Sequence, residues 1–115
     1  MSVTVRHEPR STIVRLLRQR AGGGGSAIVG GTWDRCHMLR QWCVEAGGVW
    51  LSSRRAILWP DGTVTPTLPL NDPMRFRGVT LSTVWSDADL DTLLAVDEVA
   101  MAWRGADRVL LQVGA

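Results

Sequence analysis

The segment from Val84 to Asp91 runs an apolar stretch, Val84-Trp85, straight into Asp87, Asp89 and Asp91. A carboxylate at the end of a buried strand can hold Mg²⁺ for nucleotide hydrolysis. Carboxylates in the first turn of a helix merely face the positive end of its dipole. Asp87 is the candidate for the first role, and Asp89 and Asp91 fit the second. Asp97-Glu98, preceded by Leu93-Leu94-Ala95-Val96, is the competing strand end. Residues 89–104 contain no Gly or Pro and are rich in good helix formers, so one helix explains them more economically. Ala88 follows Asp87 where a hydrolytic site would carry Glu.

Such a site also needs a phosphate holder. A Gly-rich loop with Lys-Ser/Thr opening a helix presents backbone N–H groups and an ammonium to the phosphates, and its hydroxyl to the metal. The nearest counterpart is Arg10-Ser11-Thr12, which has hydroxyls at a helix start but neither Gly nor Lys. A guanidinium does not reproduce a compact ammonium. Arg10, Ser11 and Thr12 are therefore read as a vestigial nucleotide site and Asp87 as a vestigial metal ligand. The expectation is no cofactor, with Mg and ATP entering only if these residues work after all. Ala21 to Ser26, AGGGGS, is glycine-rich but has no following Lys and reads as a loop, whether natural or engineered.

No nucleophile–base pair stands out, and no catalytic residue is expected. Cys36 and Cys43 are seven apart, on one helix face but about two turns apart, too far for a disulfide. With His37 they leave a zinc set incomplete, so both read as buried free thiols. His37 and Cys36, adjacent on a helix, diverge by about 100°. His7 lies close to the N-terminus.

The chain carries 13 basic residues, all Arg, against 11 acidic ones, with six Trp and no Tyr. GC-rich coding explains the bias, and an Arg surface for phosphate is the functional alternative. Arg6, Arg15, Arg18 and Arg20 fall in one short stretch, and Arg54, Arg55, Arg75 and Arg77 in a second. These are the candidate contacts to DNA or a partner, although a solvated helix face is the more economical reading of the first group. Most of the Trp are expected in the core.

The 115 residues suit one α/β domain, 1–115. Residues 2–5 suggest a strand and residues 12–20 a helix capped by Ser11 or Thr12, with Ile13, Leu16 and Leu17 inward. Residues 26–31 suggest a buried strand. A second helix over 34–46 turns Met38, Leu39, Trp42 and Cys43 inward and stops at Gly47-Gly48. A β-hairpin spans about 55–68, around Pro60-Asp61-Gly62, with Pro66 and Pro69 marking an edge strand. A buried strand over 79–85, the helix over 89–104 stopped by Gly105, and a strand over 108–113 complete the pattern. Strands alternating with helices imply a mostly parallel sheet of about five strands with three helices. No apolar run reaches the roughly 18 residues of a membrane span. No signal-peptide pattern is present, so a cytoplasmic location in a host cell, or a place in a virion, is expected.

The stretch from Arg54 to Asp87 resembles the middle of the ATPase domain of the phage large terminase subunit, a DNA-packaging motor. The matching residues are Arg54, Arg55, Trp59, Pro60, Asp61, Gly62, Asp72, Pro73, Arg75, Arg77, Gly78, Trp85 and Asp87. Residues 27–36 resemble that family's second strand and following loop, and residues 107–115 its last core strand. The resemblance implies a P-loop-NTPase-like fold. The departures are the missing phosphate loop, Ala88, and a chain that stops at Ala115 before the coupling segment and nuclease domain. The implied function is a non-hydrolysing, terminase-like phage or prophage protein serving binding or assembly in DNA packaging. It would work with a phage protein or copies of itself, or with nucleic acid, and not with a membrane. A small phage regulatory or inhibitory protein and an atypical Mg-dependent ATPase are the alternatives.

Overall fold

The computed structural model describes residues 3–21, 25–104 and 107–114. The centre of the Gly-rich loop and the Gly105 helix stop lie outside the described residues. Seven strands form one mixed sheet in the order β1-β7-β6-β2-β5-β4-β3. They are β1 (Thr4–Glu8), β2 (Ser26–Gly30), β3 (Val49–Leu51), β4 (Ala56–Leu58), β5 (Val64–Pro69), β6 (Thr83–Ser86) and β7 (Val109–Val113). Contacts from β1 through β7, β6 and β2 to β5 are parallel, and β5, β4 and β3 pair antiparallel. A parallel core of five strands with an antiparallel edge is thus present. Val49–Leu51 adds a third strand to the expected hairpin.

The helices are α1 (Arg10–Arg20), α2 (Trp33–Glu45), α3 (Leu90–Leu94) and α4 (Asp97–Ala102), with a 3₁₀ turn at Pro73–Phe76. Successive residues of the central strands point to opposite faces. Ile28, Trp85 and Leu111 pack with Ile13, Leu17, Leu39 and Cys43, so α1 and α2 share one face. Ala27, Val29, Val84 and Leu110 pack with Phe76, Leu93, Val99, Ala102 and Trp103 on the other. The chain moves from β1 to β2 to β5 with helices on the first face. It returns from β5 through β6 to β7 with helices on the second, as right-handed crossovers demand.

Several sequence expectations are corrected. The helix expected over 89–104 is broken: Val96 adopts φ −92°, ψ 112°, closing α3 and opening α4. Val96 packs against the core there. Asp97 and Glu98 form the first turn of α4 and belong to no strand. α1 begins at Arg10 with Pro9 in the capping position and no side-chain cap, so neither Ser11 nor Thr12 serves. Met38 is 59% exposed, and Cys36 takes the inward place. His7 sits within β1.

The two prolines do not put β5 at an edge, because β5 changes partner along its length. Its first half pairs β4 and its second half β2. The Thr67 N–H donates to Arg55 on the β4 side and the Leu70 N–H to Gly30 on the β2 side. By alternation, the missing N–H of Pro66 faces β2 just before that ladder starts at Thr67. The missing N–H of Pro69 faces the β4 side beyond where β4 begins. Neither removes a ladder bond.

Candidate functional site

Ligands of doubly wound sheets sit beyond the carboxyl ends of the strands, where neighbouring strands send their chains to opposite sides. Here that place lies between β2, which leads to β5, and β6, which leads towards β7. The Gly31-Thr32 turn after β2 opens α2, with the Thr32 hydroxyl accepting from the Arg35 N–H at 3.3 Å. Gly30 is required by close approach, since a Cβ there would stand 2.7 Å from the Cys36 nitrogen. This brings the first turn of α2 tight against the strand end. Arg35 then meets Asp87, which directly follows β6, at 3.6 Å between Nε and Oδ2.

Beside that pair lies a cleft of about 390 Å³ lined by His7, Arg35, Trp42, Trp85, Asp87 and Gln112 among others. Its floor is aromatic. Trp85 is fully buried and stacks on Trp42, with ring centroids 5.0 Å apart. Exposed Met38 lines the cleft too, which accounts for its position on α2. Asp87 and Arg35 retain 33% and 60% of their side-chain exposure. A pair this long and this wet is worth about 1 kcal/mol at most.

The residue after Asp87 is fixed by packing. The Ala88 N–H donates to Ser86 Oγ at 3.0 Å, and its carbonyl accepts from Gln112 Nε2 at 2.7 Å. Its methyl packs into the α3–α4 core, on the opposite side of the sheet from the Trp42 layer. Asp89 accepts from the Thr92 N–H at 2.7 Å and caps α3. Hydrogen bonds from Thr92 hold its carboxyl below the usual range.

Arg10, Ser11 and Asp87 are not gathered in one cleft. Arg10 and Ser11 line a separate shallow depression, and Trp42 lines both hollows. The Arg10 guanidinium lies 4.5 Å from the Trp42 ring centroid. Thr12 is half-buried. The whole connection from β1 to α1 is Pro9. Among the described residues no group of three His, Cys, Asp or Glu side chains converges as a metal site.

The candidate contact arginines divide. Arg6 pairs with Glu8 at 2.9 Å on the edge strand, and Arg15, Arg18 and Arg20 lie exposed along α1. Arg54 and Arg77 are exposed in turns. Arg55 and Arg75 converge on one indole: their guanidinium carbons lie 4.1 and 5.1 Å from the Trp33 ring centroid. Arg40 lies 3.7 Å from that of Trp50. Each such contact contributes roughly 0.5–1 kcal/mol at an exposed site. The expected burial of Trp holds for Trp59, Trp85 and Trp103, which are at most 1% exposed. Trp33, Trp42 and Trp50 are half-exposed, and each carries an arginine. Arg35, Arg40, Trp33 and Trp50 were not singled out by motif. Trp33, His37 and Arg40 follow helical spacing on α2, the one signal that marks a shared face.

No protein-family model, curated protein or solved structure matches the chain. No helix among the described residues is long and apolar enough to cross a membrane.

Proposed function

We propose that this chain is a non-hydrolysing, terminase-like phage protein that acts as a binding or assembly module, in DNA packaging or a related process in the host cytoplasm or the virion. The observation that carries the absence of hydrolysis is the junction of β1 with α1, a single proline. One residue without an N–H offers no loop to wrap a triphosphate. Two further observations support it. Ala88 turns its methyl into the core where a hydrolytic Glu would have to face the cleft. Asp87 already has Arg35 as its partner. The binding role is supported by three half-exposed tryptophans that hold arginines at the surface. The same feature favours a second reading, a small regulatory protein that grips another protein through these aromatic anchors.

Calorimetric titration with ATP and Mg²⁺ tests the first reading, and the expected result is no binding heat and no phosphate release. Micromolar ATP binding lost on Arg10→Ala would overturn it in favour of an atypical ATPase. Light scattering after size exclusion, with and without DNA and ATP, reports assembly. Recovery of one host protein from lysate, with no self-association, would favour the regulatory reading.

A further inference from the structure

We infer that the groove between α2 and the β3–β4 turn binds single-stranded nucleic acid, with unpaired bases stacked on its arginine–tryptophan layers. The inference rests on the proposal that the chain binds rather than hydrolyses, and supplies the ligand and the place. Trp33, His37 and Arg40 lie at helical spacing on α2, and Trp50 and Arg55 flank them from β3 and the turn before β4. All five line one shallow depression of about 440 Å³. Arg75 reaches Trp33 from the 3₁₀ turn after β5.

The layering is what points to unpaired bases. A guanidinium lying on an indole leaves its other flat side and its N–H edge outward. The flat side stacks on a base, and the edge donates to a phosphate. Two such units, Arg40 on Trp50 and Arg55 on Trp33, border the same depression, so successive bases of one strand have two platforms. Arg40 is further held by its hydrogen bond to His37 Nδ1.

The charge agrees. Among the described residues, Asp34 is the one carboxylate lining the depression, against Arg40 and Arg55. Asp72 pairs with Arg75 at 2.9 Å, and Arg54, next to Arg55 in the same turn, is exposed. An acidic peptide would use the positive charge but leave the flat layers unused. A duplex hides the base faces that these layers would meet.

The test is fluorescence anisotropy with labelled oligothymidylate and oligouridylate of roughly 15 nucleotides, a matching duplex and polyglutamate as competitor, at low and moderate salt. Single strands are expected to bind, to quench tryptophan emission, and to resist polyglutamate better than the duplex does. Trp50→Ala is expected to weaken binding by about fivefold or more. Arg40→Lys with Arg55→Lys, which keeps the charge but removes the planar layer, is expected to do the same. Arg104→Ala, just past α4 on the other face of the sheet, is expected to change affinity less than about twofold. Circular dichroism of each variant separates loss of binding from loss of fold.

Binding unchanged by the lysine pair, equal affinity for duplex and single strand, or full displacement by polyglutamate would overturn the stacking mode. No binding of either oligonucleotide by the wild-type chain would overturn the inference altogether. The last result leaves the non-hydrolysing reading standing, because that reading is decided by ATP binding and phosphate release, not by oligonucleotides.

Discussion

Cys43 lies fully buried under α2 and Cys36 almost so, and both are free thiols. Burial pushes Cys43 up to about 12 and Cys36 up to about 11, the latter partly opposed by a backbone hydrogen bond at Gly30. Unfolded thiols titrate near 8.5. The folded values are raised, so the unfolded chain loses protons first as pH climbs, and the stability present below about pH 8.5 drains away through about pH 11–12. The unfolding free energy from urea titration is expected to hold steady from pH 6.5 to 8 and then fall, by about 1–2 kcal/mol per thiol by pH 10. Cys43→Ala should flatten that fall, and an undiminished fall would assign it to other groups. At the cleft, Asp87→Asn is expected to change stability by less than about 1 kcal/mol, as befits a long, solvated pair. A larger loss in chemical denaturation would mean that Asp87 holds more of the fold than Arg35 alone. The position of Asp87 was legible from the apolar run before it. That Arg35 would be its partner was not, because Arg35 opens the helix that follows β2 while Asp87 follows β6, and those two strands meet only in the sheet.

Among the elements, a buried polar chain ties the two halves of the sheet. Trp59 Nε1 donates to Thr65 Oγ1 at 2.8 Å, and Ser26 Oγ donates to the Leu17 carbonyl at 2.9 Å. The Thr65 and Ser26 hydroxyls lie 2.8 Å apart. Since Ser26 spends its proton on Leu17, Thr65 donates to Ser26. One threonine therefore connects the turn of the hairpin, β2 and the end of α1. Thr65→Val keeps the shape but strands the Trp59 N–H, and should cost about 2–3 kcal/mol. A loss below about 0.5 kcal/mol would show that the chain is not continuous in solution. Gly30→Ala is expected to cost about 1–3 kcal/mol by forcing α2 away from β2. It should also perturb Trp42 fluorescence, because the displaced helix carries Trp42. Both elements joined at Gly30 were legible, as an apolar run closed by glycines and as a periodic helix. The break at Val96 was not, since nothing local in residues 89–104 opposes one continuous helix. Packing of Val96 into the core decided it.

At the scale of the whole molecule, two hydrophobic cores among the described residues lie on opposite faces of one sheet. Trp85 lies in one and Trp103 in the other, each fully buried. Because alternate residues of the same three strands, β2, β6 and β7, feed both cores, neither layer should unfold alone. Trp85→Phe and Trp103→Phe variants, each removing one reporter, are expected to show a single urea transition at which fluorescence and far-UV dichroism coincide. Separated transitions would mean that one helical layer detaches first.

The sequence by itself determined the alternation of strands and helices, the hairpin at Pro60-Asp61-Gly62, and the free state of the thiols. Each of these depends on spacing along a few residues, through side-chain periodicity, turn geometry and the reach of a disulfide. Only the tertiary structure decided that β1 is an edge strand, that β5 is internal despite Pro66 and Pro69, and that Arg10 and Asp87 line different hollows. It alone brought Arg40, Arg55 and Arg75 onto Trp50 and Trp33. Those relations join residues as far apart as Trp33 and Arg75, and they follow from the order in which strands pair. That order is set by the summed burial of two core layers, a quantity that no local stretch of the chain contains.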